Sequence, residues 1–121
     1  MDTQAIAEDF TRLMRENKDA EAQEKYWSDD VVSLEAGDGQ HQRCEGRAAV
    51  LEKHKWWNEN AEMHGGSIEG PMVNGDMFVV KFSMDVTMKG MDRMQMDEVA
   101  LYTVKDGKIV EERFFYPTDE V

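Results

Sequence analysis

The segment Met77–Met88 constrains the fold most strongly. Phe78, Val80, Phe82, Met84, Val86 and Met88 alternate with Val79, Lys81, Ser83, Asp85 and Thr87. A period of two places one set on an apolar face and the other on a mostly polar face, as a half-buried strand requires. Such a strand needs neighbours on both edges and a layer to cover its apolar face. The residues that follow supply neighbours: Arg93–Lys105 reads as a strand, Asp106-Gly107 as a type I′ hairpin turn, and Lys108–Tyr116 as the last strand. Gly90 marks the preceding turn, and Met63–Gly70 reads as an earlier strand interrupted by Pro71 and turned at Asn74-Gly75-Asp76.

The covering layer lies upstream. Ile6, Phe10, Leu13 and Met14 recur at helical spacing within residues 3–17, with Asp2 or Thr3 as cap. Asp19 reads as the N-cap of a short second helix that carries Ala22, Tyr26 and Trp27 inward. Val31–Glu35 is a short strand, ended by Gly37-Asp38-Gly39 and followed by a polar loop through Glu45. Gly46 to about Ala61 is a third helix, with Val50, His54, Trp57 and Ala61 on one face. Helices first and strands last argue for an α+β fold: three helices on a curved antiparallel sheet, enclosing a pocket in one domain over residues 1–121.

The chain carries 26 acidic against 14 basic side chains, a net charge of −12. That charge repels phosphate backbones, so nucleic acid and anionic membranes are not expected partners. No segment approaches the roughly 20 apolar residues of a membrane span. The first residues have neither a basic region nor an apolar run, so a cytoplasmic protein is expected. The single cysteine, Cys44, makes no internal disulfide and no thiolate cluster. The three histidines, His41, His54 and His64, lack metal-ligand spacing, and no metal or cofactor is expected.

Strand parity selects the side chains that face the pocket. With a two-residue turn at Asp106-Gly107, Lys105 opposes Lys108, Asp97 opposes Tyr116, Val99 opposes Phe114 and Leu101 opposes Glu112. With Lys89–Asp92 as the preceding turn, Met84 opposes Asp97. Both registers gather Asp97, Met84, Tyr116, Phe82, Val99 and Phe114 on one face. An acid in that company is notable, because an ionised carboxylate is costly among apolar groups. A one-residue shift in either turn puts Glu98 there instead. Tyr26, Trp27 and Trp57 are large enough to line the same cavity. His54 reads as a hydrogen-bonded core histidine. Core filling accounts for most of the ten methionines.

The order of elements, together with Tyr26-Trp-Ser-Asp-Asp-Val-Val32, Glu45-Gly-Arg-Ala-Ala-Val50, Met96-Asp-Glu-Val-Ala-Leu-Tyr102, Asp106-Gly-Lys-Ile-Val110 and Phe114-Phe-Tyr116, resembles the SnoaL-like branch of the nuclear transport factor two-like superfamily. The resemblance covers nearly the whole chain. It implies a cone-shaped sheet around a small-molecule site and a homodimer packed through the sheets. It places Glu35 where ketosteroid isomerases carry the proton-abstracting carboxylate, and Asp97 near their second, protonated acid. The first-helix tyrosine of those isomerases is missing: Phe10-Thr11-Arg12 stands there. The resemblance therefore implies either a cofactor-independent isomerase, cyclase or hydratase acting on a small apolar oxygenated substrate, or a non-catalytic ligand-binding or dimerisation module.

Overall fold

The structure is a computed structural model that describes residues 2–37 and 42–117. The expected turn at Asp38-Gly39 and His41 lie outside the described residues. Three helices are described, α1 (Thr3–Arg15), α2 (Asp19–Tyr26) and α3 (Arg47–Asn60). The strands are β1 (Trp27–Leu34), β2 (Arg43–Glu45), β3 (Ala61–Asn74), β4 (Met77–Met88), β5 (Arg93–Lys105) and β6 (Lys108–Phe115). They form one six-stranded sheet in the order β2-β1-β6-β5-β4-β3.

The sheet is mixed rather than wholly antiparallel, because β1 runs parallel to β6. That pairing joins elements far apart in the chain, which local alternation cannot reveal. Three boundaries also differ from expectation. Trp27 opens β1 instead of closing α2, β2 occupies part of the expected loop, and β3 runs on past Pro71 to Asn74. β3 passes the proline with a register shift between Glu69 and Met72, so the missing N–H is accommodated at an irregularity. Gly70 has a φ of +117°, and a Cβ there would meet the Val79 carbonyl oxygen at 2.9 Å, so glycine suits this bend. The Arg15 guanidinium ties α1 to the same bend through the carbonyls of Ile68 and Gly70.

The helices cover one face of the sheet. α1 buries Ile6, Ala7, Phe10, Thr11 and Leu13, and the Asp2 carboxylate accepts the Ala5 N–H at its N-terminus. Phe10 packs edge-on to Tyr102, with centroids 5.0 Å apart, and Tyr102 stacks on Phe78. This aromatic group fills one end of the sheet. α2 begins at Asp19 with Lys18 as a cap residue that makes no side-chain cap bond. Its last carbonyls are met by Arg47 from α3, which donates to Glu24 and Trp27 oxygens at 3.0 and 2.8 Å.

Two single-residue shifts decide which acid faces the helices. The hairpin at Asp106-Gly107 has positive φ at both residues and pairs Lys105 with Lys108, as expected for type I′. The register then shifts between Thr103 and Val104, so that Thr103 pairs with Glu111 and Ala100 with Phe114. Across the other edge of β5, Met84 pairs with Met96 and Thr87 with Arg93. Both shifts displace β5 by one residue from the expected pairing. Asp97 and Val99 therefore stand on the face away from the helices, and Glu98 stands on the covered face opposite Phe82. β4 and β6 keep their expected faces, because the two shifts cancel across β5.

Candidate functional site

The covered face carries a chain of polar side chains drawn from β1, α3, β6 and the residues that follow β1 and β6. The parallel β1–β6 register sets Ser33 opposite Glu112, and the Ser33 hydroxyl donates to the Glu112 carboxylate at 2.6 Å. His54 Nε2 lies 2.8 Å from the same Glu112 oxygen. Val50 and Lys53 are the buried positions of α3. Lys53 Nζ donates to Ser33 Oγ at 2.5 Å and forms an ion pair with Glu35, which follows directly after β1. The Tyr116 hydroxyl donates to the other Glu35 oxygen at 2.7 Å. Lys53 Nζ also stands 4.8 Å from the Phe114 ring centroid, close enough for a cation–π contact.

Every donor in this chain thus points to one of two carboxylates. Burial pushes the Glu112 carboxyl up, but hydrogen bonds from His54 and Ser33 and the Lys53 charge outweigh it, and the group sits below its usual range. Burial raises the Tyr116 hydroxyl, and its bond to Glu35 raises it further, so it remains a donor. Ser33 is fully buried, so it relays hydrogen bonds and is not accessible as a nucleophile.

Glu98 differs from both carboxylates. It is half-buried, with no hydrogen bond or ion pair to a described residue. Burial, then the negative charge of Glu35, pushes it up to about 7 from an ordinary 4.5. One carboxyl on this face is clasped by a cation and a hydroxyl, and the other, without such partners, holds its proton to higher pH than an ordinary glutamate. Because Glu98 is raised in the fold, protonation favours the folded state. That contribution is complete below about pH 4.5 and is lost as pH rises through about 7. Glu98→Gln should therefore stabilise the protein by about 1–3 kcal/mol at pH 8 and by little at pH 5, as read from urea unfolding at both pH values.

The expected lining residues divide into three groups. Phe82, Met84 and Phe114 lie on the covered face, as do the half-buried Tyr116 and Glu35. Trp27 is buried beside His54, with ring centroids 5.2 Å apart. Trp57 is half-buried on α3, one turn beyond Lys53. Tyr26 is buried against Phe10, and its hydroxyl bonds to Asp9 rather than to the acid cluster. Asp97 is exposed and accepts from Gln95, and burial does not act on it as expected: hydrogen bonds from Gln95 and Ser83 lower its pKa. Val99 accompanies it on the outer face. His64 is exposed and bonds to Thr87.

Two surface grooves lie elsewhere. One of about 320 Å³ runs between the end of α3 and the β4–β5 turn, lined in part by Asn60, Glu62, Thr87 and Lys89. The other, about 140 Å³, sits between α2 and α3 beside Trp27 and Arg47. Neither includes Glu35, Lys53 or Glu98. No set of three or more His, Cys, Asp or Glu side chains is placed to hold a metal ion among the described residues. No described helix is long and apolar enough to cross a membrane.

The family model for the SnoaL-like domain matches residues 1–116. The chain belongs to the SnoaL-like domain family. A solved structure from Mesorhizobium loti, designated a candidate SnoaL-like polyketide cyclase with carbohydrate phosphatase as a second designation, is 52% identical to it. The match covers 96% of this SnoaL-like chain and 100% of the other, with a TM-score of 0.93. Two more distant structures share the fold. An NTF2-like protein of unknown function from Burkholderia pseudomallei aligns over 98% of this chain and 92% of its own, at 14% identity and a TM-score of 0.78. A candidate isomerase from Bacillus subtilis aligns over 97% and 90%, at 21% identity and a TM-score of 0.72. The cone-shaped α+β architecture expected of the SnoaL-like domain agrees with these neighbours. No curated protein matches the chain.

Proposed function

We propose that this SnoaL-like domain is a cofactor-independent acid–base enzyme for a small, largely apolar, oxygenated substrate. The observation that carries the reading is the pair of carboxyls on the covered face, with Glu98 pushed up to about 7 beside the ion-paired Glu35. Glu35 takes a proton from carbon next to a carbonyl. Glu98, protonated, donates a hydrogen bond to the oxygen on which charge develops. The proton then returns to the far carbon of a conjugated enolate, which gives isomerisation, or the enolate carbon attacks a second carbonyl of the same molecule, whose oxygen takes the proton from Glu35 as the ring closes. Phe82, Met84, Phe114, Trp27 and Trp57 supply apolar surface around the two acids. Glu98 thus takes the part that the resemblance implied for Asp97. The protein from Mesorhizobium loti supports this class of chemistry through its designation as a candidate cyclase.

The experiment is proton exchange on a simple ketone. The protein should accelerate exchange of the α-hydrogens of 2-tetralone in deuterated buffer, followed by proton NMR. A rate equal to that with the denatured protein would end the enzymatic reading.

One observation favours the second reading, a non-catalytic ligand-binding or dimerisation module. Glu35 already accepts from both Lys53 and Tyr116, so both of its oxygens are engaged within the protein. A binder would show ligand-dependent thermal stabilisation that survives Glu35→Gln. In either case the protein is proposed to be cytoplasmic and to work as a homodimer through the outer sheet face. That face exposes Phe115 and Met72, at 46% and 73%, an unusual position for such large apolar groups. Light scattering should give the mass of two chains, and Phe115→Glu should give one.

A further inference from the structure

We infer that Lys53 is a positioning residue of the acid–base site, itself held in place by Glu112 through Ser33. The inference rests on the proposed roles of Glu35 and Glu98. A lysine ammonium on a four-carbon stem is mobile and strongly hydrated, so a buried one needs an organised set of acceptors. Lys53 has them: Glu35, Ser33 Oγ and the face of Phe114. Ser33 accepts from Lys53 through an oxygen lone pair and gives its own proton to Glu112, which links the two side chains. Glu112 in turn is fixed by His54 from the next position of α3. The same helix therefore grips β6 with one residue and presents its neighbour to Glu35 with another.

The consequence is geometric. Glu35 lies just beyond β1, where its backbone N–H donates to the Gln42 carbonyl and its side chain is left to partners of its own. Lys53 and Tyr116 take one carboxylate oxygen each and set the plane of the group. Lys53 is committed to Glu35 as a donor, and through that contact it acts on the base. Its positive charge also opposes the rise of Glu98, whereas the Glu35 charge promotes it. Lys53 thereby sets both the orientation of the base and the charge balance seen by the acid.

Two measurements test this, and only one needs turnover. With 2-tetralone as probe, Lys53→Met should lower kcat for α-hydrogen exchange by about 100-fold with KM within about threefold, the signature of a misplaced base. Lys53→Arg should restore at least a tenth of the wild-type kcat. Ser33→Ala, which removes one acceptor of Lys53 and with it the link to Glu112 but leaves Glu35 in place, should lower kcat by about tenfold. Carbon-13 NMR of the Glu98 carboxyl supplies the second measurement. Lys53→Met should move its titration midpoint upward by at least half a unit, and Lys53→Arg should leave it near the wild-type value. Folded Lys53→Met protein with kcat within threefold of wild type, or with an unmoved Glu98 midpoint, overturns the inference. If wild-type protein shows no exchange, the acid–base reading fails on its own, and the carboxyl titration still decides whether Lys53 governs the site. Should Lys53→Met not fold, Lys53→Gln and Ser33→Ala carry the same two readouts.

Discussion

Glu35→Gln is expected to lower α-hydrogen exchange on 2-tetralone by about 1,000-fold, within the range that loss of a general base produces. The change keeps the side-chain volume and one acceptor oxygen, so Tyr116 can still donate to it. Lys53 loses an ionic partner but keeps Ser33 and the Phe114 face. The fold should therefore survive, and circular dichroism with urea unfolding checks that it does. Glu98→Gln should act differently. The amide still donates to a developing oxyanion, but with less acidity, so a loss of about 10–100-fold is expected. Equal turnover for wild type and Glu35→Gln would remove Glu35 from the mechanism.

Glu112→Ala is expected to be the most destabilising change at this site, by about 3–5 kcal/mol. Glu112 is almost fully buried, at 1% exposure, and holds Ser33 and His54 directly. Truncation leaves the buried Lys53 ammonium facing Ser33 without the charge behind it, and it opens a cavity on β6. Glu112→Gln should cost less, since it keeps the volume and one acceptor. The pH dependence distinguishes charge from packing. The Glu112 pKa is lowered in the fold, so its contribution is present above about 4.5 and disappears as pH falls through the folded value. The gap between wild type and Glu112→Gln should narrow as pH drops from 6 toward 3, whereas the cavity term of Glu112→Ala should persist. A loss below 1 kcal/mol for Glu112→Ala in urea unfolding at pH 7 would show that the network carries little stability.

Much of the fold could be read from alternation and helical spacing. The apolar face of β4, the hairpin at Asp106-Gly107 and the buried stripe of α1 all follow from local patterns. The β1–β6 pairing does not, because a parallel contact between distant strands leaves no turn in the sequence. The choice between Asp97 and Glu98 depended on the register shift between Thr103 and Val104 and on the β4–β5 pairing of Thr87 with Arg93. A bulge has no strong composition signal here, since the last strand reads as continuous through Lys108–Tyr116. Glu35 was singled out by the resemblance to ketosteroid isomerases, not by any local pattern. Lys53 was not singled out, because a charged residue on a helix ordinarily faces water, and only its spacing of three from Val50 hinted at burial. Glu112 fell on the pocket face by parity, opposite Leu101. Its partner across β5 is Tyr102 instead, and its importance emerges only when Ser33 and His54 are brought to it.

The proposed site pairs a carboxylate held by Lys53 and Tyr116 with a second carboxyl, Glu98, whose proton is retained by burial, and Glu98 is the more exacting of the two. Its side chain can be observed by carbon-13 NMR of carboxyl-labelled glutamate, assigned through the signal missing from Glu98→Gln. Titration of the folded protein should show that signal changing with a midpoint near 7. A midpoint near 4.5, the ordinary value for a solvated glutamate, would contradict the account.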